Sequence, residues 1–277
     1  LVIFSIVFFA NSLNAQNTKK DMANLKSALN GFKFRSIGPA FMSGRISDIA
    51  IDPKNSNTWY VAVGSGGLWK TNNAGTTWIP LTEDEAFYST GCVTVDPSNN
   101  STIWLGTGEN VGGRHVGIGH GIFKSDDAGS SWKQMGLKKS EHISKIIVHP
   151  DNSNIIWVAA QGPLWSSGGQ RGLFKSVDGG KTWKNTLEIN KWTGVTDLVI
   201  HPKNPNILYA ASWQRHRNVA AFMGGGPGTS IYKSVDGGDN WEKIDNGLPK
   251  ENLGKIGLAI SPMKPEVIYA AVEMERK

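Results

Sequence analysis

The chain is short of several things at once. It has a single cysteine, Cys92, so no disulfide can form within it. Charged residues make up only 19%, which argues against a helical bundle rich in Glu, Lys and Ala. No apolar run approaches the ~20 residues a helix needs to cross a bilayer. There is no His-Glu-x-x-His metal helix, no phosphate loop and no Ser-His-Asp ordering, so neither a metal nor a cofactor is expected. The net charge of +6 is dispersed, and its densest cluster is Arg215-His216-Arg217. Without a basic stripe, nucleic acid is not an expected partner.

What is abundant is glycine, at 33, and tryptophan, at 11. Tight turns separated by large anchors are a β-rich habit. Residues 1–10 are apolar apart from Ser5 and are followed by a polar stretch. That pattern predicts a secretory signal over 1–15, its charged start missing, with cleavage between Ala15 and Gln16. A polar linker over 16–31 and a globular region over 32–277 follow, and the protein is expected to be exported. Cys92, inside an apolar run, is expected to pack as a small hydrophobe.

Self-similarity decides the fold. Four segments align without gaps: Lys70–Trp78, Lys124–Trp132, Lys175–Trp183 and Lys233–Trp241. Their shared positions are Asn73, Asp127, Asp178 and Asp236, then Gly75, Gly129, Gly180 and Gly238, then Trp78, Trp132, Trp183 and Trp241. The carboxylate or amide is expected to bond its own backbone two residues on, the glycine to supply a positive φ, and the indole to pack between sheets. Before each segment lie a strand-like run ending in proline and a second apolar run. Strand, Pro turn, strand, loop, strand, Gly turn and strand in ~50 residues is one propeller blade. The expected class is all-β: a β-propeller of four-stranded antiparallel blades, about four and a half present. Further blades beyond Lys277 are expected to be needed for closure, with Phe32–Ile37 a strand that pairs with them.

The nonapeptides resemble the Asp-box of the BNR-type propellers, S/T-x-D-x-G-x-T/S-W. That motif occurs in sialidases, in sortilin-type receptor propellers and in xyloglucanase-type glycoside hydrolases. The resemblance covers roughly residues 32–277, and its texture is most similar to exported bacterial sortilin-like proteins. It implies a fold and leaves the activity open, because the box is a structural turn. A disulfide-rich module, which sortilin relatives carry after the propeller, is not visible.

Strand order places Pro turns and box turns on one face and the loops between second and third strands on the other. Those loops are long in the second, third and fourth units, and long loops are where a scaffold carries binding residues. They hold Glu109, Asn110, Arg114, His115 and His120, then Trp165 and Arg171, then Trp213, Arg215, His216 and Arg217. Such loops would offer exposed aromatics for sugar rings or peptide side chains, and cations for carboxylates, around the one acidic residue Glu109. A second constellation is set by register: Asp48, Lys145 and Asp197 stand at equivalent positions of innermost strands and are expected to line the central channel as a salt-bridge system.

Two enzyme classes follow from the resemblance. For sialidases, Phe34–Pro39 is a distant echo of the Arg-Ile-Pro element, but Tyr60, Tyr209, Tyr232 and Tyr269 fall in or beside repeat strands and Tyr88 has no recognisable partner, which leaves no evident tyrosine nucleophile. Xyloglucanase-type enzymes place a catalytic aspartate after the second strand of the first blade, where this chain has Gly64. His149 and His201 replace Asp52 and Asp96 at the Pro turns and read as turn residues. The expectation is a binding module for a peptide, protein or polysaccharide on the long-loop face. The alternative is a secreted glycoside hydrolase whose second carboxylate lies outside this sequence, with Glu109 as the one acid in hand.

Overall fold

Each apolar run, closed at its ends by turns, is a strand, and the second run of each of the first three units ends in continuously buried residues because both faces of its sheet are covered. The computed structural model describes residues 44–244 and 246–274. The expected signal, linker and Phe32–Ile37 strand lie outside them. The first sheet runs β1 (Ile46–Asp52), β2 (Asn55–Val63), β3 (Gly67–Thr71) and β4 (Ile79–Pro80). The second is β5 (Thr90–Val95), β6 (Ile103–Thr107), β7 (Ile122–Ser125) and β8 (Lys133–Gly136). The third is β9 (Ile143–His149), β10 (Asn152–Ala160), β11 (Gly172–Ser176) and β12 (Lys184–Leu187). In the fourth, β13 (Thr193–Ile200) and β14 (Leu208–Gln214) precede a small hairpin, β15 (His216–Arg217) and β16 (Phe222–Met223). That sheet is completed by β17 (Ile231–Ser234) and β18 (Glu242–Ile244). A last pair, β19 (Leu253–Ile260) and β20 (Ile268–Met274), begins a fifth blade.

Innermost strands of successive blades are neighbours, in the order β1, β5, β9, β13, β19. Apolar side chains of adjacent sheets interdigitate between them. Tyr60, Ala62 and Leu68 of the first sheet meet Val93, Ile103 and Leu105 of the second. Cys92 and Trp104 meet Ile146 and Val158, and Trp157 and Leu173 meet Val195 and Leu208. Cys92 is fully buried, and burial pushes its thiol well above the usual range.

The box turns repeat in detail. Ser125 Oγ bonds Asp127 Oδ1 at 2.7 Å and accepts from the Gly129 amide at 2.8 Å. Ser176 and Asp178 do the same at Gly180, and Ser234 and Asp236 at Gly238. The carboxylate accepts from the amide four residues on, Ser131, Thr182 or Asn240, and not two residues on as the sequence suggested. The chain turns through two successive left-handed residues, so the acceptor must reach across a wider turn. Those residues are Gly179 and Gly180, or Gly237 and Gly238, but Ala74 and Gly75, or Ala128 and Gly129, in the first two copies. The last three indoles donate backwards to the preceding blade, Trp132 to Leu81 O, Trp183 to Met135 O and Trp241 to Thr186 Oγ1, the last also to Gly238 O of its own turn.

The Pro turns also share one device. Asp52 Oδ1 accepts from the Lys54 amide and Asp96 Oδ1 from the Ser98 amide, both at 2.8 Å. His149 Nδ1 and His201 Nδ1 accept from Asp151 and Lys203, both at 3.1 Å. An imidazole acceptor thus substitutes for a carboxylate in the third and fourth blades.

Candidate functional site

Each innermost strand carries a register irregularity near its start, beside Ser47, Gly91, Ser144 and Thr196 and between Leu253 and Ile256. A bulge re-aims the next side chain. Asp48, Lys145 and Asp197 follow it and line one cavity of about 230 Å³ with Asn110 and Lys255. Lys145 Nζ stands 3.8 Å from Asp48 Oδ2. That oxygen also accepts from the Val93 amide of the next blade at 3.2 Å, and Asp197 Oδ2 accepts from the Leu258 amide at 2.7 Å. The two aspartates therefore stitch neighbouring inner strands. Lys255, two residues off the register that links the other three, was not evident from the sequence. Burial first, then the Arg215 charge, lowers its ammonium to about 8.

On the long-loop face the second blade's loop reaches across the others. Its successive carbonyls each accept from a cation of a later blade. Asn110 O takes Lys255 Nζ at 2.6 Å, Val111 O takes an Arg215 nitrogen at 2.7 Å, and Gly112 O takes the Arg217 Nε and a terminal nitrogen at 3.0 and 2.7 Å. The Asn110 side chain is held by Gln161 and Thr196. Gly112 lies so close to the Phe222 ring that a Cβ there would overlap it. The segment is a clasp between blades.

This placement corrects the reading of several loop residues as open ligand groups. Glu109 is 1% exposed. Its Oε1 pairs with Arg45 at 2.6 Å and its Oε2 accepts from the Gly117 amide at 3.0 Å. Arg215 is fully buried, and Trp213 is buried with its N–H donated to Gly224 O. Arg171 is buried too, and its guanidinium is spent on the carbonyls of Gln161, Pro163, Ser166 and Gly168. Nothing in the sequence distinguishes an arginine that waits for a ligand from one that folds its own loop. Arg217 is half-buried, stacked 4.4 Å from the Phe222 ring. Arg114, His115 and His120 remain exposed on the second loop, and Trp165 on the third.

Beneath the clasp lies His142, 1% exposed, on the segment leading into β9. Burial first, then the Arg215 charge, hold its pKa well below 6.5. Its Nδ1, Gln161 Oε1 and Arg215 Nε are buried without a partner among the described residues. Gly64, at the position matching the xyloglucanase aspartate, faces Glu109: a Cβ on Gly64 would overlap the Glu109 carboxylate. The glutamate fills the space a side chain at 64 would need.

Blades of four antiparallel strands, joined by inner-strand contacts and indole bridges, define a β-propeller. A family model described as "Sortilin, neurotensin receptor 3" matches residues 120–273, more than half of the chain. The chain belongs to that sortilin/Vps10 family. It is also similar to a probable oligoxyloglucan-reducing end-specific xyloglucanase of Neosartorya fischeri, 25% identical over 242 residues, covering 80% of this chain and 26% of that protein. Xyloglucanase Xgh74A of Acetivibrio thermocellus is 24% identical over 220 residues, covering 71% of this chain and 25% of its own length. The chain thus spans about a quarter of the length of these relatives. Among solved structures, an ancestral GH74 enzyme superposes with a TM-score of 0.64 at 24% identity, over 83% of this chain and 28% of the other. The Niastella koreensis GH74 enzyme gives 0.54, also at 24% identity, over 73% and 29%. These likenesses establish the propeller fold.

Proposed function

We propose that this chain is part of an exported propeller that recognises a polysaccharide on its long-loop face without cleaving it. Glu109 carries the reading. It is the one carboxylate of the long loops, it is buried, and it is locked by Arg45 and the Gly117 amide. Glycosidic hydrolysis needs two carboxyl groups flanking the scissile bond, one of them able to give a proton. The Glu109 carboxylate is buried, and both its oxygens are already bonded within the protein, so neither is turned to a bound sugar. Gly64, opposite it, supplies no second group. A polysaccharide ligand is supported by the relatives, whose names declare action on xyloglucan, and by the exposed indole of Trp165. Export is supported by the apolar first ten residues followed by a polar stretch.

A second reading, glycoside hydrolysis with a partner carboxylate outside this sequence, is favoured by the juxtaposition of Glu109 and Gly64. Binding and reducing-sugar release on xyloglucan and other β-glucans separate the two, comparing the full-length protein with Glu109→Gln. Binding without sugar release by either form is the expected result. Release by the unaltered protein that disappears in Glu109→Gln would overturn binding-only recognition. Capture of a peptide by the same face, with no glycan bound, would replace the polysaccharide.

A further inference from the structure

Three loop stretches of the long-loop face are zipped together by their backbones. The Gly168 amide donates to Lys191 O at 2.8 Å, Arg215 N to Trp192 O at 3.2 Å and Arg217 N to Leu164 O at 3.0 Å. This brings Trp165, Trp192 and His216 into one surface patch drawn from the third and fourth blades. Trp165 is 43% exposed, although an indole on a loop is ordinarily turned inward. The Trp192 ring is half-buried and lies 4.3 Å from that of His216, at a tilt of 56°.

The patch is built to stay as it is. The carbonyls of Pro163, Ser166 and Gly168, on both sides of Trp165, all accept from the Arg171 guanidinium. That side chain is 4% exposed, so the loop is wrapped around a charge it cannot release to solvent. An exposed aromatic on a frozen loop loses little freedom when it stacks on a ligand. Arg171 thus acts as the positioning residue for Trp165.

Charge then selects the ligand. Lys139 and Lys191 border the patch: the Lys139 backbone exchanges hydrogen bonds with Gln170, and Lys191 Nζ lies 5.9 Å from the Trp192 ring centre. Both are exposed, and among the described residues neither ammonium pairs with a carboxylate. Residues 161–171, 189–193 and 213–217 contain no Asp or Glu. Of the nearest acids in sequence, Glu188 is exposed, whereas Glu141 is half-buried, and burial raises its carboxyl above the ordinary range against the opposing Arg171 and Arg215 charges. Flat apolar rings beside uncompensated ammonium groups suit a sugar ring that bears a negative substituent.

We infer that Trp165, Trp192 and His216, bordered by Lys139 and Lys191, form a subsite for an anionic polysaccharide. The inference rests on the polysaccharide reading above and adds both the place and the charge of the ligand. Its test uses the full-length protein and four immobilised glycans: polygalacturonate and alginate for carboxylate, dextran sulfate for sulfate, and neutral xyloglucan. The unaltered protein should hold the anionic glycans at least about ten-fold more tightly than xyloglucan, and should release them as salt rises. Trp165→Ala should weaken anionic binding by about ten-fold, whereas Trp165→Phe, which keeps a stacking face, should stay within about three-fold. Lys139→Gln with Lys191→Gln should abolish the preference over xyloglucan while leaving the melting temperature in place. Retention of dextran sulfate alone would assign the charge to sulfate, and retention of the uronates alone to carboxylate. Equal affinity for xyloglucan, or unaltered anionic binding by Trp165→Ala, would overturn the subsite and leave polysaccharide recognition standing. Failure of the unaltered protein to hold any of the four would remove the underlying reading itself.

Discussion

The two faces of this propeller solve the same problem, closing a strand into its neighbour, in opposite ways. On the turn face, a hydroxyl, a carboxylate or amide, and a glycine recur from blade to blade, and the hydroxyl and the carboxylate or amide accept from amides no more than four residues away. On the loop face, closure depends on long cationic side chains that reach carbonyls far away in sequence. Arg215 and Arg217 are about a hundred residues from the carbonyls they hold, 104 and 105 positions away, and Lys255 is 145 away. Local closure can be copied from blade to blade. Distant closure is unique to each loop, which frees that face to differ from blade to blade.

The largest contrast should come from glycines. Gly180 has a φ of +83°, and a Cβ there would strike the Trp104 ring. Gly180→Ala should cost about 3 kcal/mol, from the left-handed backbone plus overpacking. Gly168, at +73° with nothing near its Cβ position, should lose only about 1 kcal/mol on change to alanine. Denaturant titration of both variants measures the gap, and equal losses would erase the distinction between the faces. Arg171→Met comes next, at about 2 kcal/mol, because the carbonyls around Trp165 lose their donors in a dry setting. Limited proteolysis should then cut residues 163–168 first.

Acid should act on the two faces in separate windows. On the loop side, His142 resists protonation while an unfolded histidine takes a proton near pH 6.5. The folded state therefore binds fewer protons, so stability is whole above that pH and declines as the pH falls below it. On the turn side, hydrogen bonds to Ser131 and Ser125 hold Asp127 at about 2, and bonds to Thr182 and Ser176 do the same for Asp178. Hydrogen bonds from Asn240, backbone and side chain, and then from Ser234 depress Asp236 as well. These carboxylates contribute fully above the ordinary 3.8 and lose their contribution as pH falls towards 2. Melting temperature against pH should show two descents. His142→Gln should remove the upper one, and Asp178→Asn, which copies Asn73, should shrink the lower one. The smallest expected effect is a gain: Ala128→Gly, at a φ of +58°, should stabilise by about 0.5 kcal/mol once the entropy of glycine is set against the relieved strain.

The architecture was legible because its signals are local. Asp127, Gly129 and Trp132 lie within six residues, and their recurrence in Asp178, Gly180 and Trp183 states the blade period. Even the histidines at the Pro turns could be read, since His149 and His201 take positions the repeat assigns to Asp52 and Asp96. The loop face resisted for the converse reason. Arg171, Arg215 and Glu109 looked like ligand groups because charged residues in Gly-rich loops usually reach water. Their burial depends on the Gln161, Val111 and Arg45 groups they meet, and no spacing announces those partners. Trp165 and Trp213 look alike in sequence, and packing alone leaves one indole exposed and turns the other to Gly224.

By itself, then, the sequence determined the four-stranded blade, its box turns and the order in which blades follow, because a turn is decided by neighbours a few residues apart. The small hairpin β15–β16 inside the fourth unit's loop was not legible in it. Tertiary structure decided which cations and rings face solvent. That choice depends on hydrogen bonds between loops of different blades, and such bonds exist only once the blades stand side by side.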